Sequence, residues 1–221
     1  MLNKFINLNK LNLNKLNLNK LTLDKIINVK LKLKSLCENM LIGLISDTHI
    51  PDRRMKLPQK VLETFKGADL ILHAGDITSK SVIDELETIA PVIAVEGNMD
   101  RVHGEMDLPP SKVIEVEGHK IGIIHGEVYP RGDTQQLYYH ALQLEVDILV
   151  SGHSHIAQLE KIKNVILINP GSPTNPRLSD PSVALMEING NDISIEFVQT
   201  GRPVCSALNF FEEKSRKDNE N

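Results

Sequence analysis

From Met40 onward the apolar positions fall into short unbroken runs that alternate with amphipathic stretches. Leu41-Ile42-Gly43-Leu44-Ile45 is one such run, the pattern of a strand buried on both faces of a parallel sheet. Pro58 to Lys66 has helical spacing, with Pro58 suited to a first turn. Asp69 to His73 reads as a second buried strand. Thr78 or Ser79 can cap a helix through Ile89, whose Val82, Ile83, Leu86 and Ile89 share one face. Pro91 to Val95 is a third strand, and strands joined by helices imply crossovers and a parallel sheet.

Beyond Asp100 the texture changes. Lys112 to Val116 and Lys120 to Ile124 read as a hairpin about the turn Glu117-Gly118-His119. A helix capped by Asp133 or Thr134 runs to about Glu145, and Asp147 to Val150 is another strand. Short strands follow near 156–161 and 164–168, then a loop rich in Pro, Gly, Ser and Asn over 169–180. Ser182 to Ile188 and Ile193 to Val198 form a closing antiparallel pair around Asn189-Gly190-Asn191. The order fits an α/β fold, an α-β-β-α sandwich of two mixed sheets flanked by helices, better than one doubly wound sheet.

Residues 1–39 have another composition. Asn7-Leu8-Asn9-Lys10-Leu11 recurs as Asn12 to Leu16 and Asn17 to Leu21, a five-residue period that suits neither helix nor strand. Lysines interrupt any apolar stretch of the kind a signal peptide needs. The expected organisation is a disordered low-complexity extension over 1–39, one domain over 40–202 and a polar tail over 203–221. Met40 stands directly before the first strand, so translation is also expected to be able to begin there.

A length of 221 residues suits one core, and 41% hydrophobic with 24% charged residues is ordinary for a globular domain. The net charge of -4 argues against non-specific binding to a nucleic-acid backbone. No apolar run approaches the roughly 20 residues that span a bilayer, so no membrane helix is expected. Cys37 and Cys205 form neither a CxxC nor a zinc pattern and read as free thiols of a cytoplasmic protein.

The chemistry sits where the strands end. Those ends read Asp47-x-His49, Gly75-Asp76, Gly97-Asn98, His125-Gly126 and Gly152-His153-Ser154-His155. Asp47 and His49 are two residues apart, so an extended segment would point both side chains the same way. Mixed carboxylate and imidazole donors suit first-row divalent metals better than calcium, which takes oxygen alone. Any one of these endings is ordinary. Five at one edge of the sheets are not, because none of these groups is needed to build a core.

In this order the motifs resemble those of the calcineurin-like metallophosphoesterase superfamily, over nearly all of 40–200. By length and spacing the chain is most similar to its compact bacterial and archaeal phosphodiesterases, relatives of the retromer subunit that shares their fold. The resemblance implies a sandwich fold with two divalent metals at the strand ends. Asp47, His49 and His155 would hold one, Asn98, His125 and His153 the other, and Asp76 would bridge them. It implies a metal-dependent phosphodiesterase acting on a small phosphodiester, with a hydroxide shared by the metals attacking phosphorus in line. Asn98 and Asp76 would be the residues closest to that chemistry. Manganese is the expected metal, although nickel, iron, zinc or magnesium suit the same donors. A phosphomonoesterase, or a non-catalytic scaffold for protein partners, is the alternative, and a homo-oligomer is compatible with either.

One departure stands out. Where the family often carries a general-acid His after Gly-Asn, this chain has Met99, whose thioether donates no proton. His73 and His103 are the other donors available by sequence, His73 reading as structural. Arg53, Arg54, Arg101 and Arg131 follow site-bearing turns and are candidate phosphate contacts, chiefly Arg101 and Arg131. Asp100 is expected to aim an imidazole, and Tyr138-Tyr139 to straddle a helix face.

Overall fold

The computed structural model describes residues 39–202. The tail expected over 203–221 and all but Asn39 of the extension lie outside the described residues. The elements run β1 (Met40–Ile45), α1 (Gln59–Phe65), β2 (Leu70–His73), α2 (Lys80–Glu87), β3 (Val92–Ala94) and α3 (Asn98–His103). There follow β4 (Ser111–Val116), β5 (His119–Ile124), α4 (Thr134–Leu144), β6 (Ile148–Val150), β7 (Ala157–Ile162), β8 (Val165–Pro170), β9 (Ser182–Asn189) and β10 (Asp192–Gln199).

Alternation along β1 shows how the layers arise. Met40, Ile42 and Leu44 point into a cluster with Ile121, Ile123, Ile148 and Val150, so this face looks across to a second sheet. Ile45 lies in another cluster with Val61 and Phe65 of α1 and Val82 and Leu86 of α2, so the opposite face carries helices. The second sheet repeats the scheme, with Leu149, Val165 and Leu167 packed on Leu137, Tyr138 and Ala141 of α4. A strand apolar on both faces is thus the middle of an α-β-β-α sandwich of two mixed sheets flanked by helices.

The first sheet has the order β10-β9-β1-β2-β3, the second β4-β5-β6-β8-β7. β1, β2 and β3 are parallel, as are β5, β6 and β8. β9 and β10 close the first sheet antiparallel, and β4 and β7 do so at the edges of the second. Parallel strands end at one edge, which gathers the five motifs.

The hairpin between β4 and β5 is tighter than expected. Glu117 and Gly118 both have positive φ, 51° and 84°, as a two-residue primed turn requires, and His119 already belongs to β5. α2 and α4 start on polar caps: Ser79 Oγ accepts from Ser81 N and Asp133 Oδ1 from Gln136 N. α3 has no counterpart in the sequence reading, because six residues are too few for an apolar period to show. It is held by Asp100, whose Oδ2 accepts from the Gly97 N–H at 2.7 Å and closes the first turn.

Gly43, at the centre of β1, is required by packing. A Cβ there would lie 2.8 Å from Cδ1 of the fully buried Phe65 ring. Gly43→Ala is expected to destabilise the protein by about 1–3 kcal/mol through overpacking. Urea unfolding measures this, and adding Phe65→Leu should recover part of the loss.

Candidate metal centre

Asp47 and His49 do not lie in extended backbone as the spacing suggested. β1 ends at Ile45, and both residues adopt positive φ, 53° and 44°. Asp76, Thr78, His153 and His155 share that conformation, with φ of 54°, 70°, 67° and 60°. Left-handed backbone at a non-glycine residue costs of order 1–3 kcal/mol. Six such residues at the ends of β1, β2 and β6 mean that surrounding contacts hold these turns.

Those contacts come from Ser, Thr and Asn side chains outside the motifs and from Asp100. Ser172 Oγ donates to Asp47 O at 2.7 Å and Thr174 Oγ1 to Thr48 O at 2.6 Å, so the loop after β8 props up the turn after β1. Ser46 Oγ donates back to Gly171 O at 2.8 Å. Asn169 Nδ2 donates to Gly152 O at 2.7 Å and supports the turn after β6. Asp100 does not aim an imidazole. Its Oδ1 accepts from Ile77 N and Thr78 N, both at 2.8 Å, and its Oδ2 from Gly97 N, tying the turn after β2 to the start of α3. Burial raises its pKa despite those three donors. The one hint in the sequence was the density of Ser, Thr and Asn over 169–175, residues that bond neighbouring backbone.

Onto this frame the side chains converge in two groups. Ligand atoms of Asp47, His49, Asp76 and His155 all lie within 4.8 Å of one another, and all four residues are buried. His49 Nε2 and His155 Nε2 face each other at 3.3 Å, and His155 Nε2 is 3.2 Å from Asp47 Oδ1. In the second group His125 Nε2 is 3.2 Å from Asn98 Oδ1 and 3.3 Å from His153 Nδ1. Asp76 Oδ2 stands between them, 3.5 Å from His49 Nε2 and 3.4 Å from His125 Nε2. Backbone carbonyls set the rings: His125 Nδ1 donates to Ala74 O at 2.9 Å and His155 Nδ1 to Asn175 O at 2.5 Å. Each leaves Nε2 toward the centre, as a ligating imidazole requires.

The donor set fits a divalent cation. Imidazole nitrogens and carboxylate oxygens crowd one buried space, and a Cβ on Gly97 would strike the Asp76 carboxylate and backbone nitrogen. The titration of these groups agrees. Burial pushes Asp47 up, although His125 and His155 oppose it. Burial works against ionised Asp76 too, yet its hydrogen bond and attraction to His125 and the Met99 N–H at 2.8 Å hold it at about 2. Burial would lower His125, but its bond to Asp76 and the Asp47 charge hold it up at about 9. Burial brings His49 and His153 down to about 4, helped at His153 by the charges of His125 and Arg131. Without a metal, His125 therefore carries the proton that balances the carboxylates.

The remaining candidates part company. Arg101 is held by Glu127 at 2.5 Å and Glu96 at 3.5 Å, so its charge is already answered. Arg131 is exposed and close enough to His153 to depress its ionisation. His73 is fully buried with Nε2 3.2 Å from Thr48 Oγ1, and burial lowers it to about 3. It supports the turn after β1 and faces no substrate. His103 stands at the surface, bonded to Asp52. Tyr138 is buried and Tyr139 exposed, on either side of the α4 face.

His125 has a folded pKa above its ordinary 6.5, so it stabilises the metal-free chain fully below that value and loses the effect as pH rises through 9. A ligating imidazole must be neutral. Divalent metal binding at pH 7.5 is therefore expected to release at least about one proton per chain. Calorimetric titrations in buffers of different ionisation enthalpy measure the number, and His125→Asn should reduce it.

Comparison with known proteins agrees with this geometry. The model of the calcineurin-like phosphoesterase superfamily domain matches residues 40–191. A "Probable metallophosphoesterase" of Methanothermobacter thermautotrophicus is 54% identical over 77% of this chain and 99% of its own length. The structure of Vps29 from Entamoeba histolytica complexed with Zn2+ is 33% identical and superposes with a TM-score of 0.61 over 73% of this chain and all of that one, 100%. A structure described as a novel archaeal phosphodiesterase is 25% identical, with a TM-score of 0.54 over 72% of this chain and 100% of the other. Among the described residues no helix is long and apolar enough to cross a membrane. With its motifs on the strand ends of an α-β-β-α sandwich, the chain belongs to the calcineurin-like phosphoesterase superfamily.

Proposed function

We propose that the protein is a metal-dependent phosphodiesterase, with Asp47, His49 and His155 holding one ion, Asn98, His125 and His153 a second, and Asp76 shared. The observation that carries this reading is the place of Asp76 Oδ2, within 3.5 Å of His49 Nε2 and 3.4 Å of His125 Nε2, one from each group. Two such ions, with manganese expected and nickel, iron, zinc or magnesium suited to the same donors, would supply Lewis acidity toward a phosphoryl oxygen and lower the pKa of bound water toward neutral.

The chain's own residues do the rest. Asn98 turns its Oδ1 toward His125, leaving its NH₂ as a donor for a phosphoryl oxygen. The Ala74 and Asn175 carbonyls keep the imidazoles aimed, and the Met99 N–H holds Asp76 Oδ1 whatever the side chain at 99. Arg131, beside His153, offers positive charge to the incoming phosphate. The state of Arg101 favours a diester. A monoester brings a second negative charge, and Glu127 and Glu96 already occupy the guanidinium that would meet it. The archaeal phosphodiesterase of like fold supports the same reading.

The scaffold reading draws on likeness to Vps29, but in this chain all seven positions of the ligand set carry side chains able to ligate. Hydrolysis of bis-p-nitrophenyl phosphate with added manganese distinguishes the two. Turnover is expected to exceed that of the monoester, to stop on chelation and to fall more than about 100-fold in Asp76→Asn, the scale on which loss of charge stabilisation acts. No metal-dependent hydrolysis of either ester would favour the scaffold.

A further inference from the structure

We propose that His103, held by Asp52, is the proton donor to the leaving group, taking the role that Met99 cannot fill. This rests on the phosphodiesterase reading above. His103 Nε2 lies 2.9 Å from Asp52 Oδ2, with the two side chains 32% and 34% exposed, so the pair sits at the surface without being free in water. Each partner leads back to the proposed metal centre. Asp52 lies in the turn closed by the bond from Arg53 N to His49 O at 2.8 Å, three residues beyond His49. His103 ends α3, whose first residue is Asn98.

Helix spacing sets His103 beside Met99. Met99 and His103 are four residues apart in α3, hence neighbours on one face. Side chains on a helix lean toward its N-terminus, so the surface His103 covers is the turn above Met99. Asp52 fixes the ring from the side of the turn after β1, a carboxylate orienting an imidazole as in other acid–base pairs. His103 also stands alone in this position. Of the eight histidines, His49, His125, His153 and His155 point into the centre, and His73 is fully buried beneath Thr48. His119 bonds Gly190 O at the start of β5, and His140 lies on the exposed face of α4.

The step balances without a further reactant. When the P–O bond breaks, its electron pair stays on the ester oxygen. His103 passes its Nδ1 proton to that oxygen and keeps Nε2–H on Asp52. The products are the free alcohol and the phosphomonoester, and solvent returns the proton to His103.

The test varies the leaving group on the manganese-loaded protein. Diphenyl phosphate expels a far more basic oxygen than bis-p-nitrophenyl phosphate and needs the proton more. His103→Gln is expected to lower kcat/KM on diphenyl phosphate by about 10²-fold, and Asp52→Asn by about tenfold, with the nitrophenyl ester changed less than about threefold. Metal content per chain should stay the same. Adding Met99→His to His103→Gln should restore turnover of diphenyl phosphate, because the missing donor then returns one turn away. An equal loss on both esters, no loss on either, or a loss of bound metal would overturn the role of His103 and leave the phosphodiesterase reading standing. Failure of the unmutated protein to hydrolyse either ester would overturn both.

Discussion

Two carboxylates removed from water govern this structure. Asp47 is fully buried and Asp76 is 2% exposed, both at the joint between the sheets. The penalty for desolvating an ion is several kcal/mol even after the protein relaxes, and positive charge nearby offsets it only when the geometry is good. Imidazoles surround the two carboxylates, and three of these split in ionisation, His125 held up against burial by the carboxylates and His49 and His153 brought down chiefly by burial. His125 is held protonated up to about 9, while His49 and His153 fall to about 4. One site thus has a cationic centre flanked by neutral nitrogens, and a divalent cation would complete the same charge balance better than a proton.

That convergence needs backbone that few residues adopt willingly. The turns carrying Asp47, His49, Asp76, His153 and His155 all have positive φ. They persist because Ser172 and Thr174 grip the first, Asp100 the second and Asn169 the third. Bonds that span the chain, from Asp47 to Ser172 and from Ala74 to His125, also lock the two sheets together at the edge where the chemistry lies. Stability and function therefore share one network. The apolar layer between the sheets brings the strand ends near each other, and the polar network fixes the last few ångströms.

α3 shows how a short element can be given several tasks. Its first residue is Asn98, its second gives a backbone N–H to Asp76, and its third, Asp100, closes its first turn and ties it to the turn after β2. Arg101 and His103 reach to Glu127 and Asp52 on the turns of the neighbouring strands. The helix is thereby anchored on both sides, and Arg101, a candidate phosphate contact in the sequence, is engaged with carboxylates.

The sequence by itself determined the layers and the gathering of chemistry at one edge. Continuous apolar runs such as Leu41 to Ile45 can be buried only between two covering layers, and parallel strands must end together. The motif residues could be named for the same reason, since acids and imidazoles at the ends of buried strands serve no core. Tertiary structure alone decided how those residues meet. Two-residue spacing suggested an extended Asp47 and His49, whereas contacts from residues over 120 positions away, Ser172 to Asp47 among them, hold them in left-handed turns. It also decided that Asp100 binds backbone, that Arg101 is answered by Glu127, and that His103 meets Asp52 across 51 residues. Local pattern fixes which face of an element is apolar. The partner of a polar side chain depends on which distant turn the fold sets beside it, and no period along the chain records that.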